Sequence, residues 1–455
     1  MIFISRFKYF WEKYFKNDQI DMKKLVLPII IEQLLASTIG LFDTIMVSSA
    51  GEAAVAGVST VDSLNLLLIN LFMGIATGTT VVISQYIGAN RYKDAKRTAT
   101  QSLWASIFIS VLIMTLCVID CHWVLSLLFG KIEQDVMGHA VSYFLYSAIS
   151  YPFLAVYSTC AAIYRAKGNA TATMIISIIM NIINVSGNAI FIYGFKMGAG
   201  GAALSSLISR AVGAMIMVLL LLRRSEEINI RKMFPFKFQW DVLKLVLLIG
   251  LPAAAESVIF QLGKVMTQSF ITGYGTEAIT ANGVVNTIFA IALIPGNSLN
   301  IAIMTVVGQL IGAGKTKEAK RYVWLFGGIV MLLQVFTNSI IYAVHTPVFS
   351  LFGLGDKTAA IANQLLLSIT IVVPVLWAAS FTIPAGLRAS GDVKFPMIIS
   401  ICTMWFGRVL FGYLLGSVFG MGVLGIWIGM YLDWLLRAPI YILRLRKRDF
   451  KKFIR

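Results

Sequence analysis

The polar residues of this 455-residue chain fall in clusters, and between the clusters lie twelve apolar stretches. These run near 25–48, 53–85, 96–120, 134–160, 170–193, 200–222, 242–273, 278–310, 320–343, 358–386, 395–417 and 424–445. At 1.5 Å of rise per residue, each is long enough as a helix to cross a hydrocarbon layer of about 30 Å. The pattern predicts an all-α polytopic membrane protein with twelve transmembrane helices.

The first stretch carries two acids, Glu32 and Asp43, eleven positions apart. At 100° per residue that is three turns with about 20° left over, so both lie on one helix face. A charge at mid-bilayer costs at least about 2.5 to 3.5 kcal/mol, and residues kept at that cost line wet cavities and mark ion or substrate paths. The motif is also repeated. Pro28-Ile-Ile-Ile-Glu32 returns as Pro252-Ala-Ala-Ala-Glu256, an offset of 224 (256 less 32).

Gln85-Tyr-Ile-Gly-Ala-Asn-Arg-Tyr-Lys-Asp-Ala-Lys-Arg97 returns as Gln309-Leu-Ile-Gly-Ala-Gly-Lys-Thr-Lys-Glu-Ala-Lys-Arg321 at the same offset. Arg165-Ala-Lys-Gly-Asn169 meets Arg388-Ala-Ser-Gly-Asp392 at 223. Charged loops in constant register are not what chance similarity between apolar helices produces. Six spans per copy is an even number, so both copies enter the membrane from one side, as parallel repeats. The expected plan is a basic amphipathic N-terminus at 1–24, an N-lobe of six spans at 25–222, a cytoplasmic linker at 223–241, a C-lobe of six spans at 242–445, and a basic tail at 446–455.

Composition agrees: 58% of residues are hydrophobic and 13% charged, against roughly 25% charged in soluble domains. A net charge of +17 would suggest nucleic acid in a soluble protein, but its distribution points elsewhere. All but seven of the 38 Lys and Arg residues sit in the N-terminus, the C-terminus and alternate connections. The intervening connections hold only Lys131, Lys196 and Lys357, while Arg210, Lys264, Arg408 and Arg437 fall inside spans. By the positive-inside rule both termini are cytoplasmic. Residues 1–24 lack the uninterrupted apolar core of a cleavable leader, so none is expected to be removed. Phe3, Phe7, Phe10, Trp11 and Tyr14 recur at helical spacing there, which suits a helix lying among lipid headgroups.

The four cysteines, Cys117, Cys121, Cys160 and Cys402, belong to apolar spans or their ends and imply no disulfide framework or metal site. No nucleotide motif is present: Gly-Ala-Asn-Arg and Gly-Ala-Gly-Lys lack the phosphate-loop spacing. No cofactor is expected, and any transport would be driven by an ion gradient. A membrane-embedded enzyme would need a nucleophile and base or a metal cluster, and neither is evident.

Five acids lie at membrane depth: Glu32, Asp43, Asp62, Glu256 and Asp433. Together, charged and facing lipid, they would cost about 12 to 18 kcal/mol, so they must line a cavity, pair or take up a proton. Asp433 has Arg437 one turn away and is read as a structural ion pair. Glu256 has Lys264 two turns on, within reach of long side chains, and Asp62 has no evident partner. In the fifth span Asn184 and Asn188 lie one turn apart, and the sixth adds Ser205, Ser206 and Arg210. Asn184 and Asn188 would complete a hydrogen-bonded pocket with Asp43. The candidate ion-coupling set is Asp43, Glu32, Asn184, Asn188 and Ser206, and the candidate C-lobe cargo or ion site is Glu256 with Lys264.

The two six-helix halves, each with an early proline in its first span, the Asp43-Thr-Ile-Met-Val string and the repeated Gln-x-Ile-Gly-Ala hinge together resemble the multidrug and toxic compound extrusion family. The resemblance covers about the whole chain. It implies an exporter that swaps organic cations for protons or sodium by alternating access of two lobes, in the inner membrane of a bacterium. It implies that Asp43 is the coupling carboxylate, that Asn184 belongs to its pocket, and that Ser206 stands where relatives often carry threonine. Glu256 falls where one branch has a glutamate. Asn188 replaces an aspartate common in proton-coupled relatives, and the tenth span lacks the acid of the sodium-coupled branch, so both ions stay open. The expected partners are small amphipathic cations and membrane lipids, not nucleic acid, with the chain a monomer. The runner-up is a flippase for lipid-linked oligosaccharide precursors, whose anionic cargo would require a cationic cavity.

Overall fold

The computed structural model describes residues 21–130, 133–223, 226–230, 238–451 and 453–454. The predicted headgroup helix in 1–24 and much of the linker 223–241 lie outside them. Among the described residues there is no β-strand. Among the same residues twelve helices are long and apolar enough to cross a membrane, and the chain is a multi-pass membrane protein.

Spans 1 to 6 are Met22–Ser48, Glu52–Gly88, Tyr92–Ile119, Gln134–Ala166, Thr171–Gly194 and Gly198–Leu221. Spans 7 and 9 to 12 are Trp240–Tyr274, Thr316–Ala343, Asp356–Ala389, Lys394–Val418 and Gly422–Lys447. Span 8, expected as one helix over 278–310, is instead Thr276–Ala292 followed by Ile294–Gly312. The reason is Pro295, which has no N–H and clashes with the preceding turn. Its counterpart 224 residues earlier is Leu71, and span 2 runs unbroken for 37 residues.

The chain divides into two compact units, Met1–Ala254 and Ala255–Arg455. The boundary lies within span 7. The duplication shows in the backbone of both. Gly51 and Gly275 have φ of 104° and 88°, Asn90 and Gly314 of 58° and 82°, and Gly168 and Gly391 of 82° and 80°. After span 2, Asn90 N–H donates to the Ile87 carbonyl at 2.9 Å and Arg91 N–H to that of Tyr86 at 2.8 Å. After span 8, Gly314 and Lys315 make the same bonds to Ile311 and Leu310 at 3.0 and 2.9 Å. This is the left-handed helix cap that satisfies terminal carbonyls, and asparagine is the side chain that best tolerates it after glycine.

Pro28 sits inside span 1. A proline leaves the carbonyl four residues earlier without its helical donor. Here that carbonyl belongs to Lys24, and it accepts from the Ala170 N–H at 3.0 Å, tying the start of span 1 to the start of span 5. Small residues set how closely helices approach within the first unit. A Cβ on Gly78 would lie 2.3 Å from the Val246 carbonyl oxygen, and one on Gly74 would lie 2.7 Å from that of Gly250. This is the small-xxx-small contact of membrane helices.

Candidate functional site

Asp43 is buried near the end of span 1, and the Asn188 side-chain amide donates to its Oδ1 at 2.5 Å. Asn184, one turn earlier on span 5, donates to Ser206 Oγ at 3.0 Å, and Ser205 Oγ returns a bond to the Asn184 carbonyl at 3.0 Å. Gly187 permits the approach of spans 5 and 6, since a Cβ there would lie 2.4 Å from Ser205 Oγ. Two bonded pairs, Asp43 with Asn188 and Asn184 with Ser206, thus lie one turn apart along span 5 within the first unit. Each asparagine donates one side-chain N–H in these bonds. Their side-chain oxygens, Oδ1 of Asn184 and of Asn188, are buried without a hydrogen-bond partner among the described residues.

A second polar group lies behind it. Asp62, expected to be without a partner, accepts from the Tyr143 hydroxyl at 3.0 Å and from Asn65 at 3.1 Å. Tyr151 donates to Asn65 Oδ1 at 2.7 Å, and Arg210 donates to Ser150 Oγ at 2.7 Å. Asp62 and Arg210 both lie within electrostatic range of Asp43. The tyrosines went unnoticed in the sequence because an aromatic residue in an apolar span reads as packing.

Glu32 is not part of this pocket. Arg165 donates to its Oε1 at 3.2 Å, Thr173 Oγ1 donates to Oε2 at 3.0 Å, and the Tyr157 hydroxyl donates to Oε1 at 3.4 Å. Glu32 and Asp43 do share one helix face, for both turn toward span 5, at Thr173 and Asn188 respectively. Arg165, counted from the sequence as a loop cation, is in fact buried at the end of span 4.

Glu256 does not meet Lys264. Arg388 Nη2 bonds both its carboxylate oxygens at 3.0 Å, leaving Lys264 Nζ over the Phe260 ring, 5.9 Å from its centre. Arg388 too stands in the last turn of a helix, Ile383–Ala389, rather than in a loop. The signal that would have exposed both pairs was available: acid and arginine recur together, at offsets of 224 and 223. Asp433 pairs with Arg437 as expected and has Arg408 as a further neighbour at 3.7 Å. Among the described residues no group of three or more His, Cys, Asp or Glu side chains is placed to hold a metal.

The family model MatE matches the chain twice, over residues 28–190 and 252–414, the second match lying 224 residues after the first. The chain is 30% identical over 439 residues to YisQ of Bacillus subtilis strain 168, an uncharacterized transporter, with 93% of each covered. It is 27% identical over 434 residues to a probable multidrug resistance protein, NorM of Thermotoga maritima, covering 93% of this chain and 91% of that one. A solved multidrug resistance MATE family transporter of the MOP superfamily, in an outward-facing conformation, superposes with a TM-score of 0.87 at 21% identity over 93% of this chain and 94% of its own. A MOP superfamily transporter from Pyrococcus furiosus, described as having a binding pocket of reverse polarity, superposes with 0.86 at 21% identity, over 93% and 94%. These likenesses to solved structures speak for the fold.

Proposed function

We propose, because the chain belongs to the MatE family of multidrug and toxic compound extrusion transporters, that it exports small amphipathic organic cations in exchange for protons or sodium. Alternating access of its two halves would carry the exchange. The setting is the inner membrane of a bacterium, with both termini cytoplasmic and the chain a monomer. No cofactor is required, since the gradient supplies the work.

The observation that carries the coupling site is Asp43 with its amide neighbours. A buried carboxylate held by one amide donor is costly to leave charged, so it favours taking up a cation. For a proton the carboxylate alone suffices. The side-chain oxygens of Asn184 and Asn188 have no hydrogen-bond partner among the described residues, and with Asp43 and Ser206 they would offer oxygen ligands of the kind a hard metal cation takes. That detail supports sodium as coupling ion. Glu32 and Glu256 stand second as candidates, because each is already neutralised by an arginine.

The test uses purified protein in vesicles, with pH and sodium gradients imposed separately against a fluorescent organic cation. Uptake driven by either gradient agrees with the proposal, and the sodium gradient is expected to drive more. Dye movement under neither gradient rejects ion-coupled export. A flippase would instead move a lipid-linked sugar with no dye transport.

A further inference from the structure

The second unit holds three cations at membrane depth around one aromatic ring. Arg408 Cζ lies 4.9 Å from the centre of Phe260, Lys264 Nζ 5.9 Å and Arg437 Cζ 6.0 Å. They come from spans 11, 7 and 12. A Cβ on Gly263 would lie 2.3 Å from the Met404 side chain, and one on Gly407 would lie 2.6 Å from the Asp433 backbone, so glycines bring these helices together. Arg408 sits in a π-helical turn, Met404–Leu410. Such turns take an extra residue and recur at functional sites. The offset between the two halves indeed rises from 223 at Met174 and Met397 to 224 at Met197 and Met421, across this segment.

One acid cannot satisfy three cations. Arg437 bonds both oxygens of Asp433 and donates its remaining Nη1 to Ser400 at 3.2 Å. Arg408 is 4% exposed and makes no hydrogen bond among the described residues. Its Nε is buried without a hydrogen-bond partner and reaches Asp433 only as an ion pair at 3.7 Å, an acid whose two oxygens Arg437 already holds. Lys264 has no anion among the described residues, because Glu256 is taken by Arg388. The buried Arg408 guanidinium keeps a donor unmatched and the exposed Lys264 ammonium stands beside the same ring without an anion, a pairing that attracts an acceptor-rich anion. The half-buried rings of Phe260 and Phe381, 6.3 Å apart and edge to face, supply an aromatic wall beside them. The positions 224 residues before Phe260 and Lys264 are Ala36 and Gly40, so the cluster is not a relic of the duplication.

We propose that Lys264 and Arg408 form an oxyanion-binding site in the second unit, taking the carboxylate, phosphate or sulfonate of an aromatic or amphipathic ligand. The oxyanion site stands independently of the coupling assignment.

The experiment is equilibrium dialysis of the purified full-length protein in uncharged detergent with 1-naphthoate, compared with its neutral methyl ester. The acid is expected to bind saturably and at least about tenfold more tightly than the ester, as befits loss of a charged hydrogen bond. Lys264→Gln, at an exposed position without an acidic partner among the described residues, should fold and lose about tenfold in naphthoate affinity. Lys264→Arg should keep the affinity. Arg408→Gln should lose at least as much, and Lys264→Gln carries the test where that variant does not fold. Repeating the measurement in nanodiscs separates the sources. If phosphatidylglycerol abolishes naphthoate binding and phosphatidylcholine does not, the occupant is a lipid phosphate. If neither does, it is a soluble anion. Equal binding of acid and ester, or wild-type affinity in Lys264→Gln, overturns the proposal.

Discussion

Arg165, at the end of span 4, donates to Glu32 in span 1 at 3.2 Å, and the second half repeats the pair as Arg388 and Glu256 at 3.0 Å. In each half the acid follows a helix proline by four residues, and the arginine precedes a left-handed glycine by three. The two pairs differ in exposure: the side chains are 6% and 9% exposed in the first, and 21% and 13% in the second. Removing one partner of a buried pair leaves an uncompensated charge and costs about 3 to 5 kcal/mol. Arg165→Ala should therefore lower the melting temperature of the purified protein, and Arg388→Ala should lower it less. The double variant Glu32→Gln with Arg165→Gln should recover part of the loss. Identical melting of Arg165→Ala and wild type would show that the pair does not hold spans 1 and 4 together.

Asp43→Asn tests the coupling carboxylate. It keeps the side chain's shape and still meets Asn188, but it removes the charge that would capture the ion. The variant should insert and melt at or above the wild-type temperature, since a buried charge has gone. Gradient-driven dye accumulation in vesicles should disappear. Accumulation at the wild-type rate would move coupling away from Asp43.

Tyr143→Phe removes the hydroxyl that bonds Asp62 from span 4 and leaves Asn65 as the remaining hydrogen-bond donor to that carboxylate among the described residues. The loss should be about 1 to 3 kcal/mol of stability. Tyr151→Phe should cost a similar amount by leaving Asn65 Oδ1 unsatisfied. Thermal unfolding followed by far-UV circular dichroism compares the two, and a shift in neither would mean that this network contributes nothing.

Gly78→Val would drive a side chain into the Val246 carbonyl, 2.3 Å from the new Cβ. Overpacking of this kind costs about 1 to 3 kcal/mol, read as reduced yield of monodisperse protein on size exclusion. Gly283→Ala is the control. It lies within Thr276–Ala292, nothing stands within 4 Å of its Cβ, and it should be neutral or slightly stabilising.

The sequence by itself determined the number and type of the elements, because a helix that crosses lipid must be apolar along its whole length and charge must gather outside it. It also determined the duplication, through charged loops in register, and that Asn184 and Asn188 share one face of one helix, while the fold decided that this face meets Asp43. Tertiary structure decided which charges cancel. Glu32 and Arg165 are 133 positions apart, and an arginine at a helix end reads as a loop cation until the fold buries it. Lys264 lay two turns from Glu256 along the helix, yet the acid went to an arginine from another span. Spacing along one helix limits which partners are within reach, but the choice among them belongs to the packing of several helices, where each carboxylate takes the best-placed donor and leaves the others unmatched.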